Sequence, residues 1–283
     1  MVVDSRAIFN LGFACNNCCI MCTYKLPEET YMVSFEEAKS MINNLGDVDG
    51  NVIMTGGEPT IRKDFFEILD YIGERHPDND IHLSTNATTF ADPDFTKRVA
   101  RYPKVYVTTE FHGSTPEKHD AITRTKGSFK RTYDGIKNML KYGVRFQIRE
   151  VIHKMNYQDL PAIAKFLVKE FPELRKTVIF TIDFIGNAKR NIDAVFVKNS
   201  EIIPYVEEAT KIFERNNVQV TYFQIPCCML KKKYRYKVVP NNVSSDRIYF
   251  DKKCDACSYR NKCSGVWRTY AEKAGVGELK PIP

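Results

Sequence analysis

Cysteine is missing from 204 consecutive residues of this 283-residue chain, yet nine cysteines flank that gap. Four fall in Cys15–Cys22 and five in Cys227–Cys263. Disulfides of a secreted domain would be spread along the chain, so two tight clusters point to metal or redox chemistry instead. Also lacking is any apolar run near the roughly 18 residues of a membrane span. The opening Met-Val-Val-Asp-Ser-Arg has no apolar core of the signal-peptide kind. A soluble chain in a reducing cytoplasm is the expectation. Internal repeats and low-complexity tracts are absent too. At 43% hydrophobic and 27% charged residues the composition excludes collagen, coiled coil and disorder.

Acidic side chains are scarce in one place only. Residues 227–270 hold 11 Lys/Arg against 3 Asp/Glu, whereas residues 1–226 hold 29 against 30. The net charge of +7 therefore belongs to a C-terminal segment.

From Arg6 to about Pro226, β-branched and aromatic runs alternate with amphipathic ones. Strands are expected at Ala7–Phe13, Asn51–Met54, Ile81–Ser84, Val105–Thr109, Val144–Ile152 and Val178–Ile185, with a seventh at Val218–Ile225. Ser34-Phe35-Glu36-Glu37 reads as a capping box that opens a helix to Leu45. Further helices are expected at Lys63–Arg75, Pro93–Arg101, Ser128–Tyr142, Asp159–Glu170 and Ser200–Asn216. Strand-then-helix alternation predicts an α/β fold with a parallel sheet and right-handed crossovers. Six units are too few for a closed eight-unit barrel. The reading is a partial (β/α)6 barrel over residues 1–225 and a small cysteine-rich module over 226–283. Ligands of such sheets collect at the C-terminal ends of the strands.

Cys15-Asn-Asn-Cys-Cys-Ile-Met-Cys22 follows the first strand. Four thiolates within eight residues would strain to close a zinc tetrahedron, because structural zinc pairs are usually separated by a dozen or more residues. Read as CxxxCxxC, Cys15, Cys19 and Cys22 wrap one loop around a [4Fe–4S] cluster and leave one iron open for a ligand. Cys18 is then a bystander. Thr55-Gly-Gly-Glu-Pro59 ends the second strand, Ser84-Thr-Asn86 the third, and Gly186-Asn-Ala188 follows the sixth. In isolation these are turn formers and caps. At successive strand ends they face one ligand.

With these residues the chain resembles the radical S-adenosylmethionine (SAM) superfamily, in motif order over about residues 6–190. The resemblance implies that Cys15, Cys19 and Cys22 ligate a [4Fe–4S] cluster whose open iron chelates SAM. It implies SAM contacts at Gly56, Gly57, Glu58, Ser84, Asn86 and Gly186. It further implies reductive cleavage of SAM to a 5′-deoxyadenosyl radical that removes hydrogen from a substrate at the barrel mouth, with ferredoxin or flavodoxin as reductant.

Cys254-Asp-Ala-Cys257 and Cys263 form CxxCx5C, with Cys227-Cys228 upstream. This resembles auxiliary-cluster modules of the SPASM and twitch types and implies a second [4Fe–4S] cluster on Cys228, Cys254, Cys257 and Cys263, or on Cys227 in place of Cys228. The match is partial, because Trp267 stands where a SPASM domain continues with cysteine. A zinc knob is the rival reading.

Glu110 and His112, at the end of the fourth strand, are candidate catalytic residues, with a satisfied ion pair or hydrogen bond as the alternative. Asp183, in apolar surroundings, fits either a functional acid or a buried partner for arginine. Lys231–Lys237, with Tyr234 and Tyr236 interleaved, reads as a solvated face or as a contact for nucleic acid or another polyanion. The functional expectation is a radical SAM enzyme that acts on a peptide or a cofactor precursor. The peptide option is weakened by the lack of a recognisable leader-binding domain ahead of the barrel. RNA is the second substrate class, and a non-enzymatic zinc-stabilised binding module is the third reading.

Overall fold

A computed structural model describes residues 7–24, 26, 28–48, 50–240 and 245–283. Part of the polar Asn241–Asp246 stretch and the six N-terminal residues lie outside that range. Seven parallel strands form one sheet in sequential order: β1 (Ala7–Asn10), β2 (Val52–Thr55), β3 (Ile81–Ser84), β4 (Val105–Glu110), β5 (Arg145–Ile152), β6 (Lys176–Thr181) and β7 (Gln219–Phe223). Every neighbouring pair is parallel, so each connection is a crossover. The sheet is an open partial barrel, as the strand-helix alternation predicts.

The crossovers carry α1 (Phe35–Asn43), α2 (Phe65–Arg75), α3 (Pro93–Val99), α4 (Pro116–Thr123), α5 (Ser128–Tyr142), α6 (Leu160–Glu170), the short α7 (Gly186–Arg190) and α8 (Ile192–Val195), and α9 (Asn199–Arg215). The capping box at α1 is present: Ser34 Oγ accepts from the Glu37 amide and Glu37 accepts from the Ser34 amide. No helix among the described residues is long and apolar enough to cross a membrane. Strand alternation sends Ile148 and Ile152 of β5 outward into a core with Ile163 and Leu167 of α6 and Val206 and Phe213 of α9, all buried. The inner face is more polar. Its register aligns Ser84, Thr108 and Gln147 in one layer and Glu110, Arg149, Val178 and Thr221 in the next.

Helices α4, α7 and α8 were absent from the sequence expectation. They are five to eight residues long or fewer, so their apolar spacing has no room to repeat. The described residues of 226–283 hold five 3₁₀ turns, an antiparallel pair of two-residue strands, β8 (Ile248–Tyr249) and β9 (Val266–Trp267), and α10 (Arg268–Ala274). This segment docks on the end of β6. Asp183, 3% exposed, accepts from Arg247 Nη2 at 2.6 Å and from Thr269 Oγ1 at 2.6 Å. The indole of Trp267 donates to the Thr181 carbonyl at 2.7 Å, beneath the Arg247 guanidinium. Of the two readings of Asp183, the structure therefore shows the arginine partner.

Arg247→Met deprives the buried Asp183 carboxylate of two N–H donors, Nε and Nη2, and is expected to cost about 1–3 kcal/mol. Hydrogen exchange would rise first across residues 245–270; an unchanged pattern there speaks against the docking role.

Candidate functional site

The cysteine loop begins where β1 runs out. The Leu11 amide donates to the Thr55 carbonyl, and Phe13 and Ala14 both donate to the Tyr31 carbonyl. Gly12, at φ +107°, has no room for a side chain, since a Cβ would lie 2.5 Å from that same oxygen. The loop then leans on α4, with Cys18 and Ile20 amides on the Thr123 and Ile122 carbonyls. Its far end is held by α7: Asn187 Nδ2 donates to the Cys19 carbonyl at 2.8 Å and the Ala188 amide to the Cys22 carbonyl at 3.0 Å. Burial pushes the Cys19 thiol pKa up, and the neighbouring Cys22 and Cys15 push it further, so the three thiols share one region. Cys15 Sγ accepts from the Asn17 amide at 3.4 Å and lies 3.8 Å from Asn86 Nδ2.

The turn after β2 closes against this loop. A Cβ on Gly57 would lie 2.0 Å from the Ala14 carbonyl oxygen, so only glycine permits the approach. The Gly57 and Glu58 amides donate to the Gly12 and Ala14 carbonyls, each at 2.8 Å. These amides bind protein. The Glu58 carboxylate is buried and accepts from Thr60 Oγ1, Thr85 Oγ1 and the Asn86 amide, each at 2.6 Å, and from the Thr60 amide at 3.1 Å. Burial raises its pKa, and those four donors oppose the rise. Glu58 therefore ties two strand ends together. Asn86 extends the tie through Asn16 Oδ1 and Thr88 to the cysteine loop. Ser84 stands half-buried on the inner face below it. Gly186 takes φ +55°, and a Cβ there would lie 3.0 Å from the Thr23 backbone. Thr85 and Asn187 carry no sequence signal beyond lying inside the quoted motifs, and Thr60 lies just after one.

Glu110 forms an ion pair with Arg149 on the inner face and adds to the upward shift of Cys19. The strand ends at Glu110, so the two-residue alternation does not extend to His112. His112 is buried against His119 of α4, ring centroids 5.4 Å apart. Burial holds it neutral, and His153 as well, whose pKa falls to about 3. On the opposite face of β5 from Arg149, Glu150 is fully enclosed and pushed toward its neutral form by burial. Further along the inner face stand Phe180 and Phe223, 5.8 Å apart, with Trp267 of the C-terminal segment 5.7 Å from Phe180.

All five C-terminal cysteines line one cavity, together with Tyr249, Phe250 and Arg260. The Cys228 thiol is raised by burial and then by Cys263, Cys254 and Cys257. The Cys227 sulfur lies 3.7 Å from the Lys262 carbonyl oxygen, while its amide donates to Cys263 Sγ at 3.4 Å. The Cys227 thiol also hydrogen-bonds Cys263, whose own pKa is lowered to about 6. Among the described residues no three His, Cys, Asp or Glu side chains converge tightly enough to hold a single metal ion. The fit to iron–sulfur clusters rests on the all-thiol donor sets and the N–H groups aimed at their sulfurs.

The basic run is partly neutralised. Lys231 pairs with Glu207 at 2.6 Å and the buried Lys237 with Glu214 at 2.6 Å, both acids belonging to α9. Tyr234 is buried in the core and Tyr236 is exposed.

The profile of the Radical SAM superfamily matches residues 9–167, more than half of the chain. Fe-coproporphyrin III synthase of Methanosarcina barkeri is 27% identical over 209 residues, 72% of this chain and 51% of the relative. Mycofactocin maturase MftC of Mycobacterium tuberculosis is 30% identical over 172 residues, 60% of this chain and 43% of the relative. This chain thus spans about half the length of those curated relatives. Native anSMEcpe with bound AdoMet and Kp18Cys peptide shares the fold at TM-score 0.67 and 15% identity, over 93% of this chain and 89% of its own. Streptococcus suis SuiB bound to S-adenosylmethionine does so at TM-score 0.61 and 14% identity, over 77% and 49%. From the profile match, which starts in β1 and takes in the cysteine loop and the strand-end turns packed on it, the chain belongs to the radical SAM superfamily.

Proposed function

We propose that this protein is a radical SAM enzyme with an auxiliary [4Fe–4S] cluster, acting on a peptide or a small cofactor precursor. The observation that carries the reading is the clamp on the Cys15–Cys22 loop, held by the Gly56-Gly57 turn on one side and Gly186–Ala188 on the other. Cys15, Cys19 and Cys22 are the ligands of the SAM cluster. Gly56, Gly57, Ser84, Asn86 and Gly186 border the SAM site, and Glu58 positions Asn86. When loaded, that cluster supplies an electron that splits SAM into methionine and a 5′-deoxyadenosyl radical, which takes a hydrogen atom from the substrate.

The chain's own residues shape the rest. The Glu110–Arg149 pair sits beside Cys19 without net charge, so it can orient polar groups without drawing in counter-ions. Phe180, Phe223 and Trp267 form an apolar wall that excludes water from the radical's surroundings. Cys228, Cys254, Cys257 and Cys263 hold the second cluster, since the Cys228 thiol is the one near all three others. The barrel (1–225) and the module (226–283) act as one unit through Asp183. Relatives named as a coproporphyrin synthase and a maturase, and a fold shared with SuiB bound to its precursor peptide SuiA, support the substrate classes. A ferredoxin or flavodoxin is the proposed reductant. RNA is the weaker reading because Lys231 and Lys237 already have acidic partners.

After anaerobic reconstitution the chain should carry about eight iron atoms, two cubanes' worth. Cys15→Ala or Cys22→Ala should halve the iron and abolish 5′-deoxyadenosine formation with dithionite and SAM. Cys228→Ala should also halve the iron but leave that cleavage measurable. A colourless, zinc-loaded, folded protein would end the radical reading. Glu58→Ala, which strands the donors of Thr60, Thr85 and Asn86, should weaken SAM binding about tenfold or more with iron content kept; unchanged SAM affinity would remove Glu58 from the site. No RNA should be retained at low salt. Retention that vanishes when Lys231–Lys233 are neutralised would reinstate RNA as substrate.

A further inference from the structure

Residues 279–282 cross the cavity lined by the five C-terminal cysteines. Leu279 and Pro281 form part of its wall, and Leu279 is buried. The Ile282 carbonyl is pinned to the turn after Cys257, accepting from the Ser258 amide at 2.9 Å and the Ser258 hydroxyl at 3.2 Å. Two amides of this segment aim at sulfur. Ile282 N–H donates to Cys257 Sγ at 3.3 Å, and Lys280 N–H donates to the Cys228 sulfur.

The other two sulfurs of the proposed ligand set receive amides from elsewhere. Cys263 accepts from Cys227 and Gly265, and Cys254 from Asp251. Every ligand candidate therefore has a backbone donor, and half of them depend on residues 279–282. An N–H directed at a thiolate stabilises negative charge there. A cluster gains a unit of negative charge on reduction, so such donors favour the reduced state, and an apolar cover withholds water from the same sulfurs. Because the contacts are made by main chain, no side-chain motif announces them. Lys280 itself turns its side chain to solvent.

We propose that residues 279–282 form a strap that closes the auxiliary cysteine site and raises the reduction potential of the cluster held there through the Lys280 and Ile282 amides. The proposal rests on the iron–sulfur reading of that site. Ile282 and Lys280 are positioning residues that act through Cys257 and Cys228.

The test is a redox titration of the reconstituted chain, followed by electron paramagnetic resonance, in wild type and in Ile282→Pro and Ile282→Ala. Proline deletes the N–H and keeps an apolar ring; alanine keeps the N–H and trims the side chain. Ile282→Pro should move the auxiliary midpoint to a more negative value and speed loss of that cluster to a chelator, with the SAM cluster's midpoint unmoved. Ile282→Ala should titrate as wild type. Lys280→Pro, which deletes the donor to Cys228, should give a shift of the same sign and stands in if Ile282→Pro misfolds. Unshifted midpoints in both proline variants, or an equal shift in Ile282→Ala, would overturn the strap. A Cys15→Ala, Cys19→Ala, Cys22→Ala triple variant separates the layers: if it folds with zinc or no iron, the reading of the site fails, which is a different result from an unshifted midpoint.

Discussion

The approach of Gly57 to Ala14 is the contact on which the rest of the site depends. A side chain at residue 57 would meet the Ala14 carbonyl oxygen at 2.0 Å, so any other residue would lift the second strand's turn off the first strand's exit. Because the approach is possible, the Gly57 and Glu58 amides carry the β1–β2 pairing beyond the strands, onto Gly12 and Ala14. Cys15 is the next residue. Its position relative to the sheet is thereby set by backbone hydrogen bonds, which tolerate far less displacement than side-chain packing. Gly186 permits the matching approach at the far side, and Asn187 and Ala188 hold Cys19 and Cys22.

Glu58 converts that contact into a wider frame. A buried carboxylate is costly unless its oxygens find donors, and here four donors come from three places: the turn itself, Thr85 and Asn86. The strand ends of β2 and β3 are thus joined through one side chain. Asn86 carries the connection to Asn16 and back to the cysteine loop. A carboxylate quoted in the sequence for its motif is, in the fold, the joint between two strand ends.

The charge asymmetry has a physical outcome as well. The segment rich in Lys and Arg lies against acids of the nearly neutral barrel: Lys231 on Glu207, Lys237 on Glu214 and Arg247 on Asp183. Each pair has one buried partner, Glu207, Lys237 or Asp183, which fixes where the module sits. The cations left exposed, among them Lys252, Lys253, Lys262 and Lys280, surround the auxiliary cysteines. A segment with little apolar core of its own is held by ion pairs at its edges, and its five cysteines gather at its centre.

Strand and helix alternation, the parallel sheet, the capping box at Ser34 and the grouping of the cysteines could all be read from the sequence, because each is a local or periodic property of neighbouring residues. The order of the strand-end motifs could be read for the same reason. Partners separated by tens of residues could not. That Glu58 meets Thr85 and Asn86, that Asp183 meets Arg247, and that His112 lies against α4 rather than beside Glu110 depend on which strand ends and helices pack together. The surroundings of Cys227 and Cys228 are of this kind too. Only the packed chain shows that the Cys228 thiol lies near Cys254, Cys257 and Cys263, while the Cys227 thiol meets Cys263 and the Lys262 carbonyl. Sequence alone determined the chemistry on offer, because residue types and spacing decide which ligands a loop can bind. Tertiary structure decided which groups are used up holding the fold and which remain for the site, because hydrogen bonds are assigned by proximity in space.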